Sequence, residues 1–266
     1  MSADTSKNVT IDALTVTAIA NDMGDDEKAH MHNATSNRRL YYAQVQRSAK
    51  TPAHMAHGVA GHTLLVRGFE RFVEDQMRQN DASHDIVHVT NVVHNFTDIT
   101  RDLPAFTPHM RLVGHLVALG HELCDRKYTR DGDKERILSA VRQSLRGLGF
   151  TSSVESSVVR ILPLISFTRR MEHGVPDFLF PDECMIFLAV SDADMLEAIG
   201  IVGFVRTFMF QAHTGSDTMG ALRYVEDVLL SCEEYMEYPW SKAEAAKRTA
   251  AMRVACLAYR EERRVL

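Results

Sequence analysis

Apolar residues recur at helical spacing along most of the chain. In residues 59–80 they lie three or four positions apart, as one face of an α-helix requires, at Leu64, Leu65, Phe69, Phe72 and Val73. Residues 83–100 continue the same spacing. No stretch shows sustained alternation of apolar and polar residues between turn signals, which would indicate half-buried strands. The pattern therefore predicts an all-α fold.

Later segments extend this prediction to the end of the chain. We expect helices over residues 110–124, 134–148, 153–167, 218–236 and 241–264. The Val–Val and Ile–Leu pairs of residues 153–165 leave a strand as the alternative there. Ser241 followed by Glu244 is a capping-box pattern and predicts a helix start. Residues 181–210 are apolar nearly all round, which predicts a central buried helix or helix pair.

The first 38 residues differ from the rest of the chain. They are rich in Asp, Asn, Ser, Thr, Met and His, and this composition predicts a flexible N-terminal tail over residues 1–38. After them, no internal repeat and no long Gly-, Ser- or Pro-rich linker marks a second domain. We therefore expect a single all-α domain, a helical bundle, over residues 39–266.

Composition and charge narrow the class of protein. With 45% hydrophobic and 24% charged residues, the 266-residue chain has the make-up of a globular protein. A net charge of −5 argues against an extended nucleic-acid-binding surface. Four cysteines without a CxxC pair are too few for a disulfide scaffold, and no apolar run reaches the ~18–20 residues of a membrane span. Since no secretory signal is visible either, we expect a cytoplasmic protein without a membrane partner.

Two pairs of residues have the chemistry of metal ligands. His84 and His88 lie four positions apart and share a helix face, so both could reach one ion, although an exposed helix face with incidental histidines has the same spacing. His121 and Glu122 are adjacent at the end of a strongly apolar helix. Adjacent residues do not share a helix face, so this pair can meet one ion only where the backbone turns or the site is wide.

The most informative local feature is a pair of aspartates, Asp192 and Asp194, within the most apolar helix of the chain. Buried carboxylates are costly unless they are paired, hydrogen-bonded or bound to a cation. The alternative is that both cap helices or pair with arginine.

Asp125 and Lys127 follow directly on His121 and Glu122. A cation at that point suits an anionic substrate, and an exposed charged loop is the alternative.

Taken in order, these motifs resemble those of the HD-domain phosphohydrolase superfamily. In a group of small bacterial HD hydrolases the motifs read roughly SHDxxHxxRV, LHDxxDxK, ISF(S/T) and DADRLDAIGAxGxARTF. This chain reads SHDIVHVTNV from Ser83, GHELCDRKY from Gly120, ISFT from Ile165 and DADMLEAIGIVGFVRTF from Asp192. The resemblance extends over about residues 76–262 and leaves residues 1–75 outside the recognised motifs.

The resemblance implies a centre for one divalent metal ion. It places the ligands at His88, His121, Glu122 and one aspartate, with Asp194 favoured by the shared AD-x-L pattern and Asp192 as the other candidate. Such a set of donors suits Mn, Fe, Co, Ni, Zn or Mg. The implied activity is hydrolysis of a phosphate ester or anhydride, often in a nucleotide.

Further roles follow from the same resemblance. Glu122, Asp192 and His84 are the expected catalytic residues, acting on water or orienting a ligand. The residues expected to bind the substrate are Lys127, Arg206 and Asp125. The expected partner is a small phosphorylated molecule such as a nucleotide, and the oligomeric state is left open.

Three departures from the motifs keep other functions in view. Glu122 stands where the group has Asp, and Asn91 and Met195 stand where it has Arg. Glu keeps the charge but adds a methylene, and the two other changes remove cations next to the expected phosphate site. The alternatives are therefore an HD-fold binding or regulatory protein without turnover, and an enzyme that hydrates or hydrolyses a substrate other than a phosphate.

Overall fold

The computed structural model describes residues 59–78, 85–125 and 133–263, with the side chains of residues 59–63 excepted. All of these residues fall within one compact unit, Ala53–Leu266. The predicted tail over residues 1–38 lies outside the described residues, as do His84 and Lys127.

The described residues form ten α-helices joined by short connections. In chain order they are α1 Val59–Met77, α2 Ile86–Thr100, α3 Pro108–Gly120, α4 Asp133–Leu148, α5 Ser152–Ile161, α6 Phe167–His173, α7 Pro181–Ala198, α8 Gly200–His213, α9 Thr218–Asp227 and α10 Pro239–Arg263. Three 3-10 helices lie between them, at His121–Cys124, Leu162–Leu164 and Leu229–Tyr235. Within these ranges the chain contains no strand, so the all-α prediction is confirmed and the strand alternative for residues 153–165 is wrong.

Side-chain caps fix where several of these helices begin. The carboxylate of Asp85 accepts a hydrogen bond from the backbone N–H of His88, with the oxygen and nitrogen 3.0 Å apart. Thr107 caps α3 in the same way, and Pro108 occupies the first helical position, where its missing N–H costs nothing. The cap at Asp85 places His88 in the first turn of α2.

Helix α7 is the centre of the fold and is buried on almost every side. It packs against α2, α3, α8 and α10, and most of its apolar side chains are buried, with Ile186 and Leu196 at most 1% exposed. The prediction of a central buried helix is confirmed for α7. It is wrong for the following helix, because α8 exposes about half of the side chains of Ile201, Val202 and Val205.

Glycines produce the sharp break between α7 and α8. Gly200 has a φ of 81°, a conformation that residues with a Cβ rarely adopt. At Gly203 an added Cβ would lie 2.3 Å from the backbone carbonyl group of Ala198, so the two helices meet too closely there for any side chain. This turn brings one face of α8 against the C-terminal half of α7, where the two aspartates lie.

None of the helices described is both long and apolar enough to cross a membrane.

Candidate metal centre

Four side chains from three parts of the chain converge at one point beside α7. His88 comes from α2, His121 and Glu122 from the 3-10 helix after α3, and Asp194 from α7. The Nε2 atoms of the two histidines are 3.2 Å apart. Glu122 Oε1 lies 3.0 Å from His88 Nε2 and 3.5 Å from His121 Nε2. Asp194 Oδ1 lies 3.5 and 3.6 Å from the same two atoms.

The neighbours His121 and Glu122 lie where the regular helix gives way to a different backbone geometry. The α-helix α3 ends at Gly120, and the chain continues as a 3-10 helix over His121–Cys124. Both side chains are 4% exposed. The pair therefore meets the cluster at a change of the backbone path and not within a continuous α-helix.

The hydrogen bond made by the other nitrogen of the His121 ring sets its orientation. Nδ1 of His121 lies 2.8 Å from the carbonyl oxygen of Ala118. Since a carbonyl oxygen can only accept, Nδ1 carries the proton and donates it. In the neutral form of the ring, the form that binds a metal, the lone pair is on Nε2, which faces the other three side chains. A backbone carbonyl in this position is a common way to orient a histidine that binds a metal.

The electrostatics of the cluster show strong mutual attraction. Burial alone would lower the pKa of His121, but hydrogen bonding to Glu122 and the charge of Asp194 outweigh it and raise the pKa to about 9. Burial would raise the pKa of Glu122, yet its hydrogen bonds to His121 and His88 hold it well below its usual value. The pKa of Asp194 is lowered for the same reason. Two carboxylates therefore stay ionised although little water reaches them.

The spacing and the donor types fit one divalent ion. Ligand atoms ~2.1 Å from a common ion are ~3.0–3.4 Å apart at right or tetrahedral angles, and the measured separations begin at 3.0 Å and end at 3.6 Å. One atom each from His88, His121 and Asp194 lies within 4.8 Å of the others. The second carboxylate oxygen of Glu122, Oε2, is buried without a hydrogen-bond partner in the described part of the chain. An unsatisfied buried carboxylate oxygen is costly unless a cation compensates it.

Asp192, the other aspartate proposed for this site, makes quite different contacts. Its Oδ2 accepts hydrogen bonds from the backbone N–H groups of Glu237 and Tyr238, at 2.8 and 3.0 Å, and from the hydroxyl of Ser241. The side chain is fully buried, and burial raises its pKa to about 6 against those hydrogen bonds. The structure thus places Asp192 at the N-terminus of α10, and does not bring it into the cluster. The expected catalytic role of Asp192 is not supported by these contacts.

The start of α10 also differs from the predicted one. The helix begins at Pro239, two residues before the expected cap at Ser241. Ser241 is buried inside the first turn, where its hydroxyl binds Asp192. The capping group is therefore a carboxylate from another helix.

A cavity of about 290 Å³ opens next to the cluster. His88, Glu122 and Asp194 form one end of it. Asp194 is the most accessible of the four cluster residues, with 22% of its side chain exposed. The remaining wall is mixed in character. Its polar and charged members are Asp125, Ser166, Thr168, Arg169, Glu197, Arg206 and Thr207.

Two of the three residues predicted to bind the substrate line this cavity. They are Asp125 and Arg206, and Nη1 of Arg206 also donates to the carbonyl oxygen of Glu197 at 3.1 Å. The third, Lys127, lies outside the described residues, as does His84. A further residue of the cavity wall, Arg169, was not predicted from the sequence, although it comes directly after the ISFT motif, and that position was the available signal.

The positions where arginines were expected have specific surroundings here. Asn91 donates a hydrogen bond from Nδ2 to Oε2 of Glu197 at 3.0 Å, and Arg248 reaches Oε1 of the same carboxylate at 3.3 Å. The side chain of Met195 is 1% exposed and is not part of the cavity wall. In this chain, therefore, Asn91 holds a carboxylate of the cavity wall and Met195 fills the core.

Three aromatic side chains give the cavity an apolar wall: Phe167, Phe210 and Tyr224. Burial and the nearby groups of Cys232 and Asp125 raise the pKa of Tyr224. Its hydroxyl therefore stays protonated and can donate a hydrogen bond to a bound molecule.

Comparison of the sequence with known proteins gives no relative: no family model matches the chain, and no curated protein matches it. Comparison of the structure with solved structures does find similar proteins. An HD-superfamily hydrolase from Bacillus thuringiensis aligns over 77% of this chain and 100% of its own, with a TM-score of 0.57 and 18% identity. YpgQ from Bacillus subtilis, in complex with ADP, aligns over 74% of this chain and 97% of its own, with a TM-score of 0.58 and 22% identity.

The Lin1889 protein from Listeria innocua is similar over 77% of this chain and 98% of its own, with a TM-score of 0.58 and 18% identity. The structure thus defines the class of protein: an all-α domain in which two histidines and an aspartate meet beside the central helix. More particularly, the chain has the fold of the HD-superfamily hydrolases.

Proposed function

We propose that this protein is a divalent-metal-dependent phosphohydrolase that acts on a nucleotide or another small phosphate ester. The observation that carries the proposal is the convergence of His88, His121, Glu122 and Asp194 at the end of a cavity. A cluster that served only to join helices would not need to open onto a cavity. Here Asp194 is accessible from a cavity large enough for a small ligand.

The four side chains of the cluster have distinct roles in this proposal. His121 and His88 bind the ion through Nε2, with His121 held by the carbonyl of Ala118. Glu122 supplies a buried carboxylate and Asp194 the one nearest the ligand. When bound, a divalent ion polarises a phosphoryl oxygen and lowers the pKa of a water molecule. Because two carboxylates accompany the two histidines, Mn, Fe, Co, Ni, Zn and Mg are all suitable ions.

The rest of the cavity supports a phosphorylated ligand with an organic part. Arg206 and Arg169 supply guanidinium groups, which match phosphate oxygens in charge and geometry. Phe167, Phe210 and Tyr224 offer rings against which a planar base can stack. The structural neighbour YpgQ was crystallised with ADP, which agrees with a nucleotide as the ligand of this fold.

Turnover by the purified protein tests the proposal. Nucleoside mono-, di- and triphosphates are incubated with each of the six ions, and release of phosphate and pyrophosphate is measured. We expect His121→Ala to abolish release. The matched control is His173→Ala, because His173 is exposed and does not line the cavity, and it should keep full activity.

Two results would contradict the proposal. One is full activity in His121→Ala. The other is no release from any of these compounds with any ion, in a protein that still binds them. That result would favour a binding or regulatory protein on the same fold.

A further inference from the structure

Arg169 has an unusual position among the arginines of this protein. It lies in the first turn of α6, is half-buried, and forms part of the cavity wall with Ser166 and Thr168. Within the part of the chain that the structure describes, its guanidinium has no hydrogen bond or ion pair. Its guanidinium is therefore available to bind a ligand in the cavity.

The other described arginines of comparable burial all have a hydrogen-bond partner, and Arg169 differs from them in this respect. In the described ranges, each of them donates to a carboxylate or a backbone carbonyl: Arg111, Arg160, Arg206, Arg248 and Arg260. Arg169 is thus not typical of how this fold treats its half-buried arginines.

The next residue, Arg170, explains how Arg169 is held against the cavity. Arg170 is 2% exposed, and its Nη2 lies 2.8 Å from Glu237 Oε1 and 3.3 Å from the carbonyl oxygen of Tyr235. Its guanidinium also lies 5.6 Å from the ring centre of Phe187. Successive side chains on a helix point ~100° apart. Fixing Arg170 in the core therefore directs Arg169 away from the core.

The charge balance of the metal-loaded cluster indicates what Arg169 would bind. A divalent ion held by two neutral imidazoles and two carboxylates has no net charge left to attract an anion. Asp125 and Glu197 add further carboxylates to the cavity wall. An anionic ligand needs a positive charge from elsewhere on that wall, and a guanidinium is well suited because it can donate two parallel hydrogen bonds to one phosphate.

We infer that Arg169 is a substrate-binding residue that holds a phosphate group of the ligand, in place of the cations missing at Asn91 and Met195. The inference rests on the proposed function for the kind of ligand, but not on turnover. Arg170 itself does not line the cavity; its contacts with Tyr235, Glu237 and Phe187 hold α6 in place.

Binding of ADP to the metal-loaded protein, measured by calorimetry, tests the inference, with adenosine as the matched ligand without phosphate. Arg169→Gln should raise the Kd for ADP by roughly ten- to hundredfold, the value of a hydrogen bond to a charged group. The Kd for adenosine should stay as in wild type. The control variant is Arg253→Gln, since Arg253 is exposed on α10, and it should bind ADP as wild type does. Metal content should be equal in all three proteins.

Arg169→Lys guards against a folding defect, because it keeps the charge and the side-chain length. It should bind ADP with an intermediate Kd, since an ammonium lacks the forked geometry. An unchanged Kd for ADP in Arg169→Gln would overturn the inference, and so would a wild-type protein that binds neither ADP nor inorganic pyrophosphate. A failure of the proposed function alone would look different: ADP binding would depend on Arg169, but no phosphate would be released.

Discussion

Asp192 and Asp194 lie two positions apart on α7, and their surroundings are opposite. Asp194 faces two histidine nitrogens and a cavity. Asp192 is fully buried and faces backbone N–H groups and a hydroxyl at the start of α10. Both positions follow from helical geometry, because residues two apart point ~200° away from each other.

The comparison shows how one short motif can serve two needs of the protein. The pKa of Asp194 is lowered by the histidines, so it stays an anion that a cation can use. The pKa of Asp192 is raised to about 6, because its hydrogen bonds only partly offset burial. Neither aspartate can take over the role of the other, because the partners of Asp194 and the partners of Asp192 lie in different parts of the fold. Variants of the two aspartates should therefore fail in different ways.

The largest effect is expected for Asp194→Asn. The amide has no charge to offer an ion, so metal content should fall and turnover should drop by more than about 100-fold, given that even outer partners of metal ligands cost ~10–100-fold. The fold should remain, because Asp194 is the most exposed residue of the cluster. Metal analysis measures the ion content, steady-state kinetics measures turnover, and circular dichroism measures whether the fold remains. Normal metal content in this variant would contradict the assignment of Asp194.

Asp192→Ala should instead lower stability. It removes three hydrogen-bond acceptor contacts at the start of α10 and leaves Arg170 with less compensating charge. Leaving a buried donor without its acceptor costs about 1–3 kcal/mol, and here three donors lose theirs. Asp217→Ala is the matched control, since Asp217 is an exposed cap of α9 and should cost only about 1 kcal/mol. Urea denaturation measures both, and equal losses would show that Asp192 is an ordinary cap.

The smallest effect should be a pH dependence of stability that belongs to Asp192. Because its pKa rises from 3.8 in the unfolded chain to about 6 in the fold, its contribution is fully present below pH 3.8 and is lost as the pH rises through 6. The wild type should therefore lose stability relative to Asp192→Asn between pH 4 and 7. Denaturation curves of both proteins across that range give the difference. A constant difference would mean that the Asp192 carboxyl does not titrate in the fold with a raised pKa.

Much of the fold and of the candidate metal centre could be predicted from the sequence, but the roles of some residues could not. Helical spacing predicts the all-α fold, and the motif order predicts that His88, His121, Glu122 and Asp194 belong together. Helix capping by Asp192 was only the alternative interpretation, because its partners at Glu237 and Tyr238 are far along the chain and are backbone groups, which no side-chain pattern reveals. Arg169 was missed because its direction depends on the burial of its neighbour, Arg170. Apolar composition also failed to distinguish α7 from α8, since burial depends on how many helices pack around each.

The metal content of the purified protein shows whether His88, His121, Glu122 and Asp194 hold an ion. Inductively coupled plasma mass spectrometry on tag-free wild type, Asp194→Asn and Asp192→Asn compares the two aspartates in one experiment. We expect about one divalent ion per chain in wild type and in Asp192→Asn, and a marked loss in Asp194→Asn. Wild-type protein that holds no ion, even after dialysis against each of the six metals, would contradict this expectation, and so would loss of the ion from Asp192→Asn alone.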